Sequence, residues 1–308
     1  MMRLTKIRTA TGKDVKIATA ARNPYSSKHD NGSIVVVGGS GVYHGAPVLA
    51  GNAAWHALAA LRVGIGYAYL YVPSSIVGPV RALSPNLIVR PFGTESIGDG
   101  KISGIRQVIM RADALVIGIG IGKGIDVLKK AGKIIDYAVS NGKRVVIDAD
   151  GLFSIKYAGS LGMNALITPN DREFEMLEGG RAGNTVKERA ASAMRLSARI
   201  GTAVLLKGHV SVISDGKEAV TVNPKSSALA TAGTGDVLSG IIGGYMASGA
   251  STFRAGIAGA YVHAKAGDML YKKMGAHILA DDLINMIPHV IKHFDRQSIP
   301  HANKLTHK

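Results

Sequence analysis

The 308 residues contain no cysteine, so the chain has neither a disulfide framework nor a thiolate metal site. That fits a reducing compartment, and a cytoplasmic location is the expectation. No run of about eighteen or more uncharged apolar residues occurs, so no membrane span is expected. The start, Met1-Met2-Arg3-Leu4-Thr5-Lys6, lacks the apolar core of a secretory signal. Aromatic residues are scarce, at 5% of the chain, and none interleave with the basic residues as a base-stacking platform requires. Acidic residues are outnumbered, 21 against 37 Lys and Arg, which leaves a formal charge of +16.

That charge raises nucleic acid as a partner through phosphate neutralisation. The basic residues are dispersed, however, with no arginine-rich run, so no nucleic-acid partner is expected; attraction for anionic small molecules fits equally well. Seven of them (Arg3, Lys6, Arg8, Lys13, Lys16, Arg22, Lys28) precede the first strong strand and suggest a solvated arm over residues 1–30. With 46% hydrophobic and 19% charged residues, the remainder can bury a sizeable core. No linker or internal repeat divides it, so one domain is expected over residues 31–296, followed by a polar tail, 297–308.

Ser33-Ile34-Val35-Val36-Val37 is a continuous β-branched run, the mark of a strand buried on both faces. It ends in Gly38-Gly39-Ser40-Gly41, and helical Ala- and Leu-rich sequence follows as far as Arg62. That glycine turn is neither the dinucleotide fingerprint nor the P-loop pattern. The alternation then repeats. Strands are expected at 67–72, 114–117, 144–147, 165–167 and 203–206, and helices at 73–83, 125–139 and 186–200. Such βα units imply a largely parallel sheet with helices on both faces. Ser214-Asp215-Gly216-Lys217 between two short apolar runs signals a hairpin. Helices over about 236–248, 252–273 and 279–294 complete the chain.

In an open parallel sheet, ligands bind outside the carboxyl ends of the strands. By sequence order, the suspicious clusters all fall there: Gly38-Gly39-Ser40, Gly118 to Gly122, Asp148-Ala149-Asp150, Thr168 to Glu173, Lys207-Gly208, and Ala232-Gly233-Thr234-Gly235-Asp236. Each alone is equally well a tight turn or a helix cap. Gly233-Thr234-Gly235 before an apolar helix has two readings, an Asp236-capped start or an anion site of unpaired N–H groups. Lys207 is likewise a nucleotide contact or a solvated charge. None of His44, His56, His209, His263 and His277 has metal-ligand spacing, so each is expected to be structural or superficial.

Several stretches together carry a resemblance. They are Gly38-Gly39-Ser40 with Tyr43-x-Gly45-Ala46-Pro47, Leu61-Arg62-x-Gly64-x-Gly66, Asp148-Ala149-Asp150-Gly151-Leu152, and Leu229 through Ile242. From about Gly32 to Leu283 the chain resembles the ADP- or ATP-dependent NAD(P)H-hydrate dehydratases, of ribokinase-like α/β fold. The resemblance implies repair of hydrated NADH and NADPH: the hydroxyl is phosphorylated by ADP or ATP with Mg2+, and phosphate then leaves. It implies Asp236 as general base, backbone N–H groups of Gly233, Thr234 and Gly235 as an anion hole, and Lys207, Gly208 and Gly235 at the nucleotide. Ala46, Gly120, Asn170 and Asp236 would face the hydrate, and Glu173 and Asp148 would support metal and phosphates. Relatives commonly form tetramers, so a homo-oligomer is expected.

Three departures from the family pattern stand out. The usual Thr-Pro-His-x-Gly-Glu is Thr168-Pro169-Asn170-Asp171-Arg172-Glu173 here, and Lys225-Ser226-Ser227-Ala228 replaces the usual Gly-Asn-Pro-Gly. An upstream epimerase domain is not expected within the first 30 residues. Asn170-x-x-Glu173 is similar to the signature of ribokinase-like sugar and vitamin kinases, which keeps a small-molecule kinase as the alternative.

Overall fold

The computed structural model describes residues 7–41 and 46–295; the side chains of residues 46–54 lie outside that description, as does the expected polar tail. The chain enters the sheet earlier than its composition suggests. Ile7–Thr9 forms strand β1 and Gly12–Ala18 forms helix α1, whose first turn is tied by Asp14 Oδ2, which accepts from the Thr11 N–H and hydroxyl. Part of the expected arm is therefore an edge strand and a docked helix, and the boundary drawn at residue 31 is not where the sheet begins. The two elements are too short to show a period, and only Val15 and Ala18 of α1 are buried.

The expected alternation follows in β2 (Ser33–Gly38), α2 (Ala46–Val63), β3 (Tyr67–Val72) and α3 (Val77–Leu83), and then come a strand and a helix the sequence reading did not expect, β4 (Ile88–Pro91) and α4 (Ile102–Arg111). The second run is β5 (Ala114–Ile119), α5 (Ile125–Ser140), β6 (Arg144–Ile147), β7 (Ala165–Ile167), α6 (Asp171–Glu178), α7 (Val186–Ile200) and β8 (Ala203–Leu206). Strands β9 (Ser211–Ser214) and β10 (Ala219–Val222) are the hairpin, and α8 (Thr234–Ala247), α9 (Thr252–Met274) and α10 (Ala280–Ile291) follow. The ten strands among the described residues form one sheet, ordered β1-β10-β9-β8-β7-β6-β5-β2-β3-β4. Only β9 runs antiparallel to its neighbours among the described strands.

Along β2 the two faces separate by alternation. Ile34 and Val36 join the core beneath α2, α8, α9 and α10, whereas Val35 and Val37 join the core beneath α4, α5 and α7. All four are fully buried, each contributing roughly 1.5–3 kcal/mol relative to exposure. The order reverses between β2 and β5, which opens a switch point at their carboxyl ends. Helix α8 crosses the sheet at this point and lies close on two sides because it is glycine-rich. A Cβ on Gly243 would sit 2.5 Å from Ile34, and one on Gly240 2.4 Å from the His56 carbonyl of α2. Among the described residues, no helix is long and apolar enough to cross a membrane.

Candidate active site

The carboxyl ends of the central strands assemble the clusters found in the sequence. At the switch point the Gly39 N–H donates to the Ile119 carbonyl at 2.7 Å, joining the turns after β2 and β5. After β6, Ala149 takes a positive φ of 49°, the one non-glycine residue to do so among those described. That turn points Asp148 and Asp150 different ways. Asp150 Oδ2 accepts from the Gly122 N–H at 3.0 Å. Asp148 is buried and fully occupied: Oδ1 accepts from Lys207 Nζ at 2.7 Å and from its neighbour Ala149 N–H at 2.8 Å, and Oδ2 accepts from the Ser239 hydroxyl. Burial pushes the Asp148 carboxyl up, but the charge and hydrogen bond of Lys207 outweigh it and hold it below the ordinary range. Burial pulls Lys207 down, and Asp148 with Glu173 more than restores it, so the ammonium stays charged.

Lys207 Nζ also stands 3.8 Å from Glu173 Oε2. Glu173 is positioned by a capping box at the start of α6: Asn170 N–H donates to its Oε2 at 2.8 Å, and Glu173 N–H donates to Asn170 Oδ1 at 2.9 Å. Asn170-x-x-Glu173 is thus a helix-start device, and Asn170 spends its side-chain oxygen holding Glu173. Burial raises the Glu173 carboxyl despite Lys207. From behind, the buried Arg189 donates to the Lys207 carbonyl at 2.9 Å and the Val210 carbonyl at 3.2 Å, and pairs with Asp171. Gly208 makes room for it, since a Cβ there would fall 2.3 Å from the guanidinium.

Gly233 is the residue before the first turn of α8, with φ 85°, and no side chain caps this end. Asp236 therefore lies in the first turn and is not the cap. The Thr234 N–H donates weakly to the Thr231 carbonyl at 3.4 Å, and its hydroxyl shares its one proton between the Leu229 and Thr231 carbonyls, each 2.9 Å away. Among the described residues the N–H groups of Gly235 and Asp236 have no acceptor, which leaves a helix start ready for an anion. The space over Gly235 is open: a Cβ there would have Lys207 Nζ as its nearest neighbour, 3.8 Å away. Asp236 itself is pushed up to about 7, first by burial and then by the charge of Asp148, against the opposing pull of Lys207.

Two histidines dismissed on spacing are buried beside this turn. His263 Nε2 bonds the Thr234 carbonyl at 2.8 Å, and burial holds the ring down to about 4, hence neutral. His56 Nε2 lies 3.8 Å from Asp236 Oδ1. Their signal in the sequence was a lone polar ring in an apolar helix, which does not distinguish a site from a core. Gly120 adopts φ 60° beyond β5 at the switch point. Ala46 begins α2, but its side chain, and Tyr43, His44 and Gly45, lie outside the described residues. A cavity of about 980 Å3 lined by Arg22, Arg62, Arg144 and Tyr245 lies at the opposite, amino-terminal ends of the strands. The titratable groups converge instead around Asp236, which makes that turn the candidate site.

A family model described as NAD(P)H-hydrate dehydratase matches residues 34–289. The chain belongs to the NAD(P)H-hydrate dehydratase family. The ADP-dependent (S)-NAD(P)H-hydrate dehydratase of Cenarchaeum symbiosum (strain A) is 35% identical over 290 residues, covering 92% of this chain and 96% of the relative. The protein of the same description from Nitrosopumilus maritimus (strain SCM1) is 32% identical, covering 94% and 98%. The solved ADP/ATP-dependent NAD(P)H-hydrate dehydratase from Bacillus subtilis, co-crystallised with ATP/Mg2+, superposes with a TM-score of 0.75 at 23% identity, covering 96% of this chain and all of that one. A ribokinase-like superfamily protein from Enterococcus faecalis V583 superposes at 0.78 with 22% identity, covering 96% and 99%. These two likenesses establish the ribokinase-like fold. Within this family member, the departure at Lys225-Ser226 also has a structural account. The Lys225 N–H and the Ser226 hydroxyl both donate to Asp268 Oδ1 of α9 at 2.9 Å, tying the segment ahead of the Gly233 turn to a helix.

Proposed function

We propose that the chain dehydrates hydrated NADH and NADPH with ADP as phosphoryl donor, as the names of its two archaeal relatives describe for them. A hydroxyl is a poor leaving group. Transfer of a phosphoryl group to its oxygen, with loss of the hydroxyl proton, makes a good one. Phosphate then departs with a proton from the adjacent ring carbon, and the ring double bond re-forms. The observation that carries this reading is the turn before α8. A partly buried carboxyl stands beside two uncommitted N–H donors and an open space bounded by a lysine ammonium.

Asp236 takes the hydroxyl proton; a base half-ionised near pH 7 suits that task. The Gly235 and Asp236 N–H groups, with Gly233 at the turn, hold the transferring phosphoryl oxygens, and Lys207 balances their charge. This shifts part of the expected anion hole from Thr234, whose N–H is already engaged, to Asp236. Gly208 borders the nucleotide beside a cavity of about 300 Å3 lined by Arg172, Arg181 and His209, whose arginines suit polyphosphate. Gly120 and the remaining amide nitrogen of Asn170 face the hydrate, and Ala46 is assigned to it by the family resemblance alone.

Mg2+ fits at Glu173. Among the described residues Glu173 Oε1 has no partner, whereas both oxygens of Asp148 are taken, so Asp148 acts by holding Lys207. When bound with the nucleotide, the ion supplies charge neutralisation at the phosphates and is held mostly by their oxygens and water.

The test is incubation of the protein with NADH hydrate, ADP or ATP, and magnesium. Recovery of the near-ultraviolet absorbance of NADH is expected. No recovery, or accumulation of a stable phosphorylated vitamin precursor or sugar in parallel assays, rejects the dehydratase reading in favour of a kinase.

A further inference from the structure

Two consecutive residues of α2 reach the turn before α8. Trp55 lays its ring against Gly233, where a Cβ would fall 2.1 Å from Cζ3, and its Nε1 donates to Asp281 of α10 at 3.0 Å. His56 is fully buried, with Nε2 3.8 Å from Asp236 Oδ1. The approach is built into α8. A Cβ on Gly240 would fall 2.4 Å from the His56 carbonyl, and one on Gly244 3.0 Å from that of Ala60. These glycines, one turn apart, seat α2 directly against the helix that carries the base. The residues after His56 are Ala57, Leu58, Ala59, Ala60 and Leu61. The ring therefore sits in an otherwise small and apolar stripe.

The other charged groups facing Asp236 are Asp148 from the end of β6, Lys207 from the end of β8 and Glu173 from α6. Asp148 has both oxygens occupied, and the Lys207 ammonium is directed at Asp148 and Glu173. Among the described residues, His56 is the one basic side chain within 4.0 Å of the Asp236 carboxylate. His56, Asp148 and Asp236 each place a ligand atom within 4.8 Å of the others. Of these, Asp148 already accepts from Lys207, Ser239 and the Ala149 N–H.

We infer that His56 is a positioning residue for the general base: its Nε2 closes on the Asp236 carboxylate when the site fills and fixes the carboxylate's aim at the substrate hydroxyl. Catalytic hydrogen bonds are commonly long before substrate binds, and an error of about 1 Å at the reacting group costs up to about 100-fold. The inference rests on the reading of Asp236 as base.

The experiment compares wild type with His56→Gln, His56→Asn and His56→Leu in the NADH hydrate assay. ADP affinity is followed by fluorescence of Trp55, the single tryptophan, and folding by thermal melting. For His56→Leu, kcat is expected to fall roughly 10- to 100-fold with KM and ADP affinity within about twofold of wild type. His56→Gln, whose amide nitrogen extends as far as the imidazole Nε2, restores most of kcat; His56→Asn, with a shorter reach, does not. Undiminished kcat in His56→Leu, or equal activity of the glutamine and asparagine variants, overturns the inference while leaving the dehydratase reading intact. If His56→Leu does not fold, the glutamine–asparagine comparison decides alone. A wild-type protein that restores no NADH overturns both.

Discussion

Replacing Asp236 with asparagine separates what this carboxyl does for turnover from what it does to the fold. Its ordinary pKa of 3.8 is raised to about 7, first by burial and then by Asp148. Between those two values the native protein binds more protons than the unfolded chain. The stability contributed by this group is therefore whole below about 3.8 and is lost as pH rises through about 7. At 1.36 kcal/mol per pH unit the whole difference is at most about 4 kcal/mol. Asparagine has the same shape and no charge at any pH, so the variant avoids that loss. At pH 8 it is expected to be more stable than wild type by about 2–4 kcal/mol, or about 4–8 °C in Tm at roughly 2 °C per kcal/mol for a chain this long. The gain shrinks toward zero near pH 4. The same variant should lose on the order of 100- to 10,000-fold in kcat, because no base takes the hydroxyl proton. The assay is paired: melting curves of both proteins at pH 5 and 8, and the rate of NADH recovery. A gain absent at pH 8, or equal at both pH values, refutes the reasoning about burial, and retained turnover removes Asp236 as the base.

Further expectations concern the neighbouring groups. Gly235→Ala should fold at least as stably as wild type, gaining about 0.5–1 kcal/mol of helix propensity, yet lose at least about tenfold in turnover by filling the space under Lys207. Gly233→Ala, with φ 85° and Trp55 in the way, should instead lose about 2 kcal/mol or more in denaturant titration. If Gly235→Ala is fully active, the phosphoryl group does not sit there. Lys207→Met strands the buried Asp148 and should cost about 3–5 kcal/mol in urea unfolding; adding Asp148→Asn should recover much of it, and strictly additive losses would contradict the pairing. His263, held down to about 4 from 6.5, stays neutral in the fold while the unfolded chain takes up a proton. Stability should therefore fall by up to about 3 kcal/mol as pH drops from 6.5 to 4, and a His263→Gln protein should lack that fall in melts across the window.

Much of the architecture was legible in the sequence, because strand and helix periods are local. Ile34–Val37, Leu115–Ile117 and Val145–Ile147 are continuous apolar runs since both sheet faces are covered, and the motif through Asp236 marks its own turn. The short elements β1, α1 and β4 were not legible, because three to seven residues show no period, and β1 pairs with the distant β10. The linear pattern nominated Asp236, Lys207, Asp148 and Glu173 without saying which touch. Only the folded structure decided that Asp148 spends both oxygens on Lys207, Ala149 and Ser239, that Asn170 spends its own on a helix start, and that Arg189 braces the Lys207 turn. His56 and Asp236 are 180 positions apart and meet only because Gly240 and Gly244 let two helices touch. Composition and periodicity thus determined the layers and the edge where chemistry gathers. The charge state and aim of each group depended on burial and distance between remote segments, which a linear pattern does not carry.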